Sequence, residues 1–463
     1  MYKTSSADNF IKQILLFSFF VILTFFLFLG QNKSGNYNFR IYMTFYAIGF
    51  YALMQIVFEI KNHAFSCNMF HWLFVFFFLF CSPYLQYSTG SFALRYNPSE
   101  QQMIRTNFLI IAWEIVYSLF FYYKKSRTNQ NTEEQVFDTT SVNTNELHMF
   151  LLLFIGISFL IAVYMLAKGG TGIIFSRDDG EGVFVSENSF KTSLITYIAR
   201  NFVTFSTALA IVYFKSSKNP LPLLLMSVLL FVTCSPFGMP RFQTATVYCG
   251  LLIIAFPKLS KRNIFVIGFV FAFMILFPMI NVFRYDSFLE YNIAELFKES
   301  INSVTDNFTD ANFDAYVMLI KVQKYVQENG PTYGRQLMGA ILFFVPRSIW
   351  SGKPFGSGYT VHIAEGKYGA EANVSCPLPA EGYINFGIFG TLLFAAILGY
   401  VICKLDSTFF NTPNSIKGIR NKIVYAFIPT IVFFMLRGDL MSTISFLVAY
   451  IAVGKAMTYL TVK

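Results

Sequence analysis

Residues 346–354 read Pro346-Arg347-Ser348-Ile349-Trp350-Ser351-Gly352-Lys353-Pro354, and residues 381–387 read Glu381-Gly382-Tyr383-Ile384-Asn385-Phe386-Gly387. Both lie in a polar stretch, 281–387, set between long apolar runs. A bilayer offers backbone groups no hydrogen-bond partner, so a polar segment punctuated by glycine and proline has to sit outside lipid or line a wet cavity. The stretch therefore implies a topology: apolar spans on either side, a large loop on one face of a membrane, and any chemistry in that loop.

Composition agrees. Of 463 residues, 55% are hydrophobic, 19% aromatic and only 13% charged, and 58 are phenylalanine, more than a water-soluble core would enclose. Runs close to bilayer-crossing length recur at roughly 11–30, 41–60, 69–85, 107–123, 148–167, 193–214, 221–236, 242–257, 263–280, 388–404, 422–437 and 440–460. The expectation is an all-α polytopic membrane protein of about twelve spans. Its three parts are spans one to nine (1–280), the large loop (281–387) and the last three spans (388–463). The first run lacks a small-residue cleavage signature and reads as an uncleaved span.

The formal charge of +10 would suggest nucleic acid in a soluble chain. Here lysines and arginines flank spans and set their orientation, and no nucleic-acid partner is expected. The short clusters at Lys61, Lys124-Lys125-Ser126-Arg127, Lys215 and Lys218, Lys258 with Lys261-Arg262, and Lys417, Arg420 and Lys422 all fall on one side. That side is cytoplasmic by the positive-inside rule, with both termini inside and the large loop outside. The six cysteines have no paired spacing and read as small buried apolar residues, neither disulfide framework nor zinc site.

Five outward arginines stand at span ends or in the outer loops, Arg177, Arg241, Arg284, Arg347 and Arg437, and arginine rather than lysine dominates at the outer span junctions. A guanidinium fork binds phosphate bidentately and keeps its charge when partly desolvated, so such a cluster suits an anion whose tail lies in lipid. The competing reading is that these residues snorkel and anchor helices. Glycines near Lys353, at 356 and 358, would let backbone N–H groups approach a phosphate. For a base, His362 is the one histidine of the outer face, with a neutral imidazole near pH 7. Glu381, where the chain re-enters the membrane, is costly unless paired or used. Asp178-Asp179 beside Arg177 reads as a solvated turn, and no metal or other cofactor is expected. Glu114, within a span, is expected to face the bundle interior.

These residues resemble the Wzy-type polymerases of O-antigen and related surface polysaccharides in Gram-negative bacteria. The similarity rests on Gly334-Arg335-Gln336-Leu337, Phe343-Phe344-Val345-Pro346-Arg347-Ser348-Ile349-Trp350, Lys353-Pro354, Glu381 to Gly387, Pro240-Arg241-Phe242 and the Arg347-to-Gly358 interval. The resemblance implies a C-type glycosyltransferase-like fold in the inner membrane. At its periplasmic face, the growing glycan would leave undecaprenyl diphosphate for a hydroxyl of the next lipid-linked repeat, without metal and with inversion. It implies diphosphate or glycan contacts from Arg177, Arg241, Arg284, Arg347, Lys353, Arg437, Tyr383 and Asn385. Glu381 or His362 would be the base, and a chain-length regulator a partner. The alternatives are an O-antigen ligase, with the same donor, and a lipid-linked oligosaccharide flippase, which would want a charged central cavity and short loops.

Overall fold

The computed structural model describes residues 6–29, 38–61, 63–128, 142–175, 189–282, 292–302, 304–367, 374–412 and 415–462. Every regular element among them is helical. We label the principal helices in chain order. The first six are α1 Asp8–Phe28, α2 Phe39–Ile60, α3 Cys67–Thr89, α4 Glu100–Ser126, α5 Thr144–Gly169 and α6 Ile195–Ser217. Next come α7 Leu221–Thr233, α8 Arg241–Ala255 and α9 Asn263–Met279. The large loop contributes α10 Ala315–Asn329, α11 Arg335–Ile341 and α12 Ser357–Ala364. The chain then closes with α13 Leu378–Phe410, α14 Ile416–Arg437 and α15 Leu440–Thr461.

Among the described residues, nine helices (α1–α6 and α13–α15) are long and apolar enough to cross a membrane. Three of the expected spans, 221–236, 242–257 and 263–280, fall on the shorter apolar helices α7, α8 and α9. Proline explains the shortening of α7 and α8. α7 opens on Leu221-Pro222 and runs out before Pro236, while α8 is bracketed by Pro240 and Pro257; none of these can continue a helical ladder. α4 starts earlier than its apolar run because Ser99 and Gln102 form a reciprocal capping box that nucleates it at Glu100.

α3 is the axis of the bundle. Every residue from 64 to 83 is buried, as expected of a helix apolar all round, and a π-helical stretch, Val75–Cys81, lies within it. Its phenylalanines meet those of other helices edge-on or stacked: Phe70 with Phe269 at 4.8 Å, and Phe78 with Phe313 at 4.8 Å and Phe433 at 5.9 Å. The outermost helices, by contrast, turn large apolar side chains outward, among them Phe10, Phe25 and Phe26 of α1 and Met149 and Leu160 of α5. Large apolar residues facing out over long helices make this a multi-pass membrane protein.

At one end of α3, Asp406 of α13 accepts the Cys67 and Asn68 N–H groups (3.0 and 3.1 Å) and the Tyr425 hydroxyl of α14. Ser66 caps the same helix at Met69 N–H, 3.0 Å. The Ala64 and Phe65 N–H groups donate to Ser260 O at 2.7 and 3.0 Å. These bonds bring the turns around Lys61, Lys258–Arg262 and the α13–α14 connection together, so the short basic loops share one face, as their sequence suggests. At the other end, Gln86 Nε2 donates to Phe308 O and Phe313 O (2.9 and 3.1 Å), seating the large loop on α3.

Within that loop α10 is the longest helix, fifteen residues from Ala315 to Asn329. The apolar run 337–345 is helical only through Ile341. α13 begins ten residues before the expected span 388–404. Its first part, 378–385, is a separate arm, broken from the rest at Phe386 and Gly387, the latter at φ 63°, where a side chain would be strained. The arm folds back: Thr391 Oγ1 donates to Pro379 O at 3.0 Å, and a methyl group on Gly382 would come within 2.6 Å of Gly390 O.

Asp406 is buried and accepts two N-terminal helix donors and the Tyr425 hydroxyl, so Asp406→Ala is expected to cost about 2–3 kcal/mol and Asp406→Asn less. Thermal unfolding of the detergent-solubilised protein reads this; an unchanged midpoint for Asp406→Ala would contradict the anchoring role.

Candidate functional site

On the large-loop side, α8, α9, α14 and the 307–313 segment enclose a cavity of about 120 Å³. Its two cations come from helix ends: Arg241 is the first residue of α8, placed there by Pro240, and Arg437 is the last of α14. Eight phenylalanines, among them Phe78, Phe273, Phe277 and Phe313, form the rest of most of its wall. Phe242 and Phe434, next to those ends, stack at 3.7 Å.

Arg241 Nη2 donates to Asn312 Oδ1 at 2.5 Å and Nη1 to Phe277 O at 3.4 Å. Arg437 Nη2 donates to Asp314 Oδ1 at 3.2 Å and Ala311 O at 3.3 Å. Two donors on the lining residues lack a partner among the described residues: Arg437 Nε and Asn307 Nδ2 are buried with no acceptor. Orphaned buried N–H groups are uncommon and call for an explanation; beside two guanidinium groups, an anion supplies one. Asp310, close enough for Arg241 to act on it, has its carboxyl raised chiefly by burial, then by Asp306, with Arg241 opposing.

Behind this cavity lies a layer of buried polar groups. Asp314 receives Arg437 and also the Ser375 hydroxyl at 2.7 Å, tying the loop to α14. Two residues beyond Arg437, Asp439 caps α15 through the Met441 N–H (3.0 Å) and accepts the Gly358 N–H at 3.4 Å. Glu381, on the folded-back arm of α13, accepts the Leu440 N–H at 2.9 Å and the Ser357 hydroxyl at 2.6 Å. Glu381 is thus buried one layer behind Arg437, and is not itself in the cavity wall. Arg200, buried within α6, donates to Thr233 O at 3.2 Å and Gly238 O at 3.5 Å, holding the turn that presents Arg241.

The remaining expected site residues are elsewhere. Arg347 is turned onto its own loop, donating to Lys353 O and to Pro354 O (3.0 Å) and lying 4.0 Å over the Phe355 ring. Lys353 reaches back to Phe343 O and Val345 O at 2.7 and 3.0 Å; burial, with Arg347 beside it, lowers its pKa. The N–H of Gly358 is committed to Asp439 and does not await a phosphate. A methyl group there would collide with Ser375 O, so close packing explains this glycine. His362 Nε2 sits 2.7 Å from Lys321 Nζ, and Lys321 also meets Glu365 Oε2 at 2.6 Å. Facing an ammonium, that ring nitrogen serves as an acceptor, which occupies the lone pair a base needs. Burial lowers Lys321, with Glu365 opposing.

Tyr383 and Asn385 are likewise spoken for. Arg105 Nη2 donates to the Tyr383 hydroxyl at 3.0 Å, and Asn385 Oδ1 accepts the Leu337 N–H at 3.1 Å while its Nδ2 donates to Glu381 O at 2.8 Å. Arg177 and Arg284 lie outside the described residues. Glu114 does face the bundle interior, with Oε1 buried and without a partner among the described residues, whereas the neighbouring Tyr117 gives its hydroxyl to Asn68. Among the described residues, no three histidine, cysteine or carboxylate side chains gather as a metal site.

Sequence reasoning overlooked Asn307, Asn312, Asp314, Ser357 and Arg200. Arg200 carried a usable signal, being an arginine within an apolar span; the others are ordinary polar loop residues whose meeting depends on tertiary folding. No protein-family model, curated protein or solved structure matches this chain.

Burial raises the Asp439 carboxyl above its ordinary value of 3.8, against the pull of the N–H groups it accepts. A carboxyl raised in the folded state adds stability that is fully present below the unfolded value and is lost as pH rises through the folded one. Unfolding midpoints followed from about pH 4 to about pH 8 should therefore fall less steeply in Asp439→Asn than in the parent; identical slopes would refute this.

Proposed function

We propose that this chain is an inner-membrane glycosyltransferase that polymerises undecaprenyl-diphosphate-linked oligosaccharide repeats into O-antigen or a related surface polysaccharide, at the periplasmic face. α7, α8 and α9 would complete twelve crossings in a C-type glycosyltransferase-like arrangement, leaving both termini cytoplasmic. The observation that carries this reading is the cavity itself: two guanidinium groups and two orphaned N–H donors set in a wall of phenylalanine. Such a hollow suits a phosphate-bearing headgroup with an apolar tail, and its volume leaves the glycan to extend outward over the loop.

In this reading Arg241 and Arg437 hold the diphosphate and stabilise its charge as the bond from the anomeric carbon to the phosphate oxygen breaks. The acceptor hydroxyl attacks from the opposite side, inverting that carbon. Its proton passes to Ser357 Oγ while the Ser357 proton moves to Glu381. Asp314 and Asn312 orient the two arginines. Arg347, Lys353, Tyr383 and Asn385 serve the reaction by fixing the loop and the arm that carry Ser357 and Glu381, and His362 is not the base.

The test uses cells lacking the chromosomal copy. Arg437→Ala and Glu381→Gln, at parental membrane levels, should each replace long-chain lipopolysaccharide with core capped by one repeat. Purified protein extending a lipid-linked repeat should lose about 10²-fold or more in rate with either variant and be indifferent to a chelator. Persisting long chains in both variants would refute the site, and bare core in place of capped core would indicate a ligase.

A further inference from the structure

A second hollow, of about 520 Å³, opens at the face where the short basic loops gather. It lies where α6 and α8 end and the Pro257–Lys261 turn leads into α9, and its cations are Lys215, Lys258 and Arg262. The rest of its lining is apolar, Phe256, Pro257 and Leu259 included, and no acidic residue lines it. Lys215 donates to Ile254 O at 2.6 Å, which fixes its ammonium at the edge of the hollow. Lys258 and Arg262 are exposed and have no side-chain hydrogen bond or ion pair with any described residue. Lys218 lies close enough for its charge to act on Lys215. Outward from the cations the surface turns greasy: Phe256 is 60% exposed, Ile264 64% and Leu252 40%.

Orientation by positive charge needs cations near a span end, but no hollow between them. Nor do Lys258 and Arg262 satisfy backbone, as Lys215 does beside them and as Arg241, Arg347 and Lys353 do on the opposite face. Helix C-termini tolerate positive charge through the macrodipole, which accounts for the presence of the cations but leaves their shared concavity unexplained. A basic recess between membrane helices, floored and flanked by apolar side chains at headgroup depth, matches a phosphate joined to acyl chains.

We propose that this hollow seats the phosphate of an anionic phospholipid headgroup, held by Lys258 and Arg262 in the positive field of Lys215, with an acyl chain along Phe256, Leu252 and Ile264. The site is separate from the arginine cavity of the opposite face and does not depend on the reaction assigned there. Its experiment reads lipid retention by native mass spectrometry of the full-length protein in neutral detergent, supplied with equal amounts of dioleoyl phosphatidylglycerol and dioleoyl phosphatidylcholine. The parent should retain phosphatidylglycerol preferentially, by about tenfold. Lys258→Gln combined with Arg262→Gln should abolish that preference, and the charge-keeping pair Lys258→Arg with Arg262→Lys should preserve it. Equal preference in the parent and the glutamine pair would overturn the proposal. So would a site occupied by inorganic phosphate alone with no preference between the two lipids, which would make it a receptor for free anions.

Discussion

Irregular backbone beside a membrane must find its hydrogen-bond partners within the protein, and in this chain cationic side chains supply them. Arg200 serves the turn before α8, Arg241 the carbonyl of Phe277, and Arg437 that of Ala311. Arg335 reaches Gly352 O at 3.0 Å, and Arg347 and Lys353 bind carbonyls in each other's segment. The large loop is thereby folded with little regular structure of its own between α11 and α12. A guanidinium has five donors, so a residue that holds a carbonyl with one or two of them can still offer others to a ligand. Arg437 illustrates this, with Nη2 committed and Nε buried and unpartnered.

That dual use explains how the two halves of the site are joined. Arg437, Asp439 and Leu440 lie within four consecutive residues at the α14–α15 corner. Arg437 faces the cavity, Asp439 caps α15 and takes the Gly358 N–H, and the Leu440 N–H goes to Glu381. Because Ser357 also donates to Glu381, a shift of the corner would move the cavity and the buried carboxylate together. The arm of α13 is kept against its own helix by the Gly387 bend and the Thr391–Pro379 bond, and Asn385 ties it to α11, so Glu381 has little freedom of position.

Much of this architecture could be read from the chain. Nine of the expected spans fall on crossing-length helices, because apolar length is a one-dimensional signal, whereas the early starts of α4, α13 and α14 lie in polar or capped residues that hydropathy does not register. Two of the three that fell short, α7 and α8, are bounded by prolines, which sequence displays but hydropathy ignores. The site was legible only in part. Arg241, Arg437 and Glu381 do meet at or behind one cavity, whereas Arg347, Lys353, Tyr383, Asn385 and His362 are engaged in holding the loop and the arm. Chemistry of residue type cannot separate those two groups, since a guanidinium that binds phosphate and one that binds a carbonyl look identical in sequence. The Arg347-to-Gly358 interval is the sharpest example: both ends are explained by packing and hydrogen bonding inside the loop. Asn307, Asn312 and Asp314 had no signal at all, because their role comes from where the 307–314 segment is seated against α3 and α14.

The most direct measurement of the central claim is an electron cryomicroscopy structure of the protein in nanodiscs with a polyprenyl-diphosphate-linked repeat. The account predicts the diphosphate between Arg241 and Arg437, within reach of Arg437 Nε and Asn307 Nδ2, with Arg347 still on the carbonyls of Lys353 and Pro354. A diphosphate bound at Arg347, with the phenylalanine-walled cavity vacant, would contradict it.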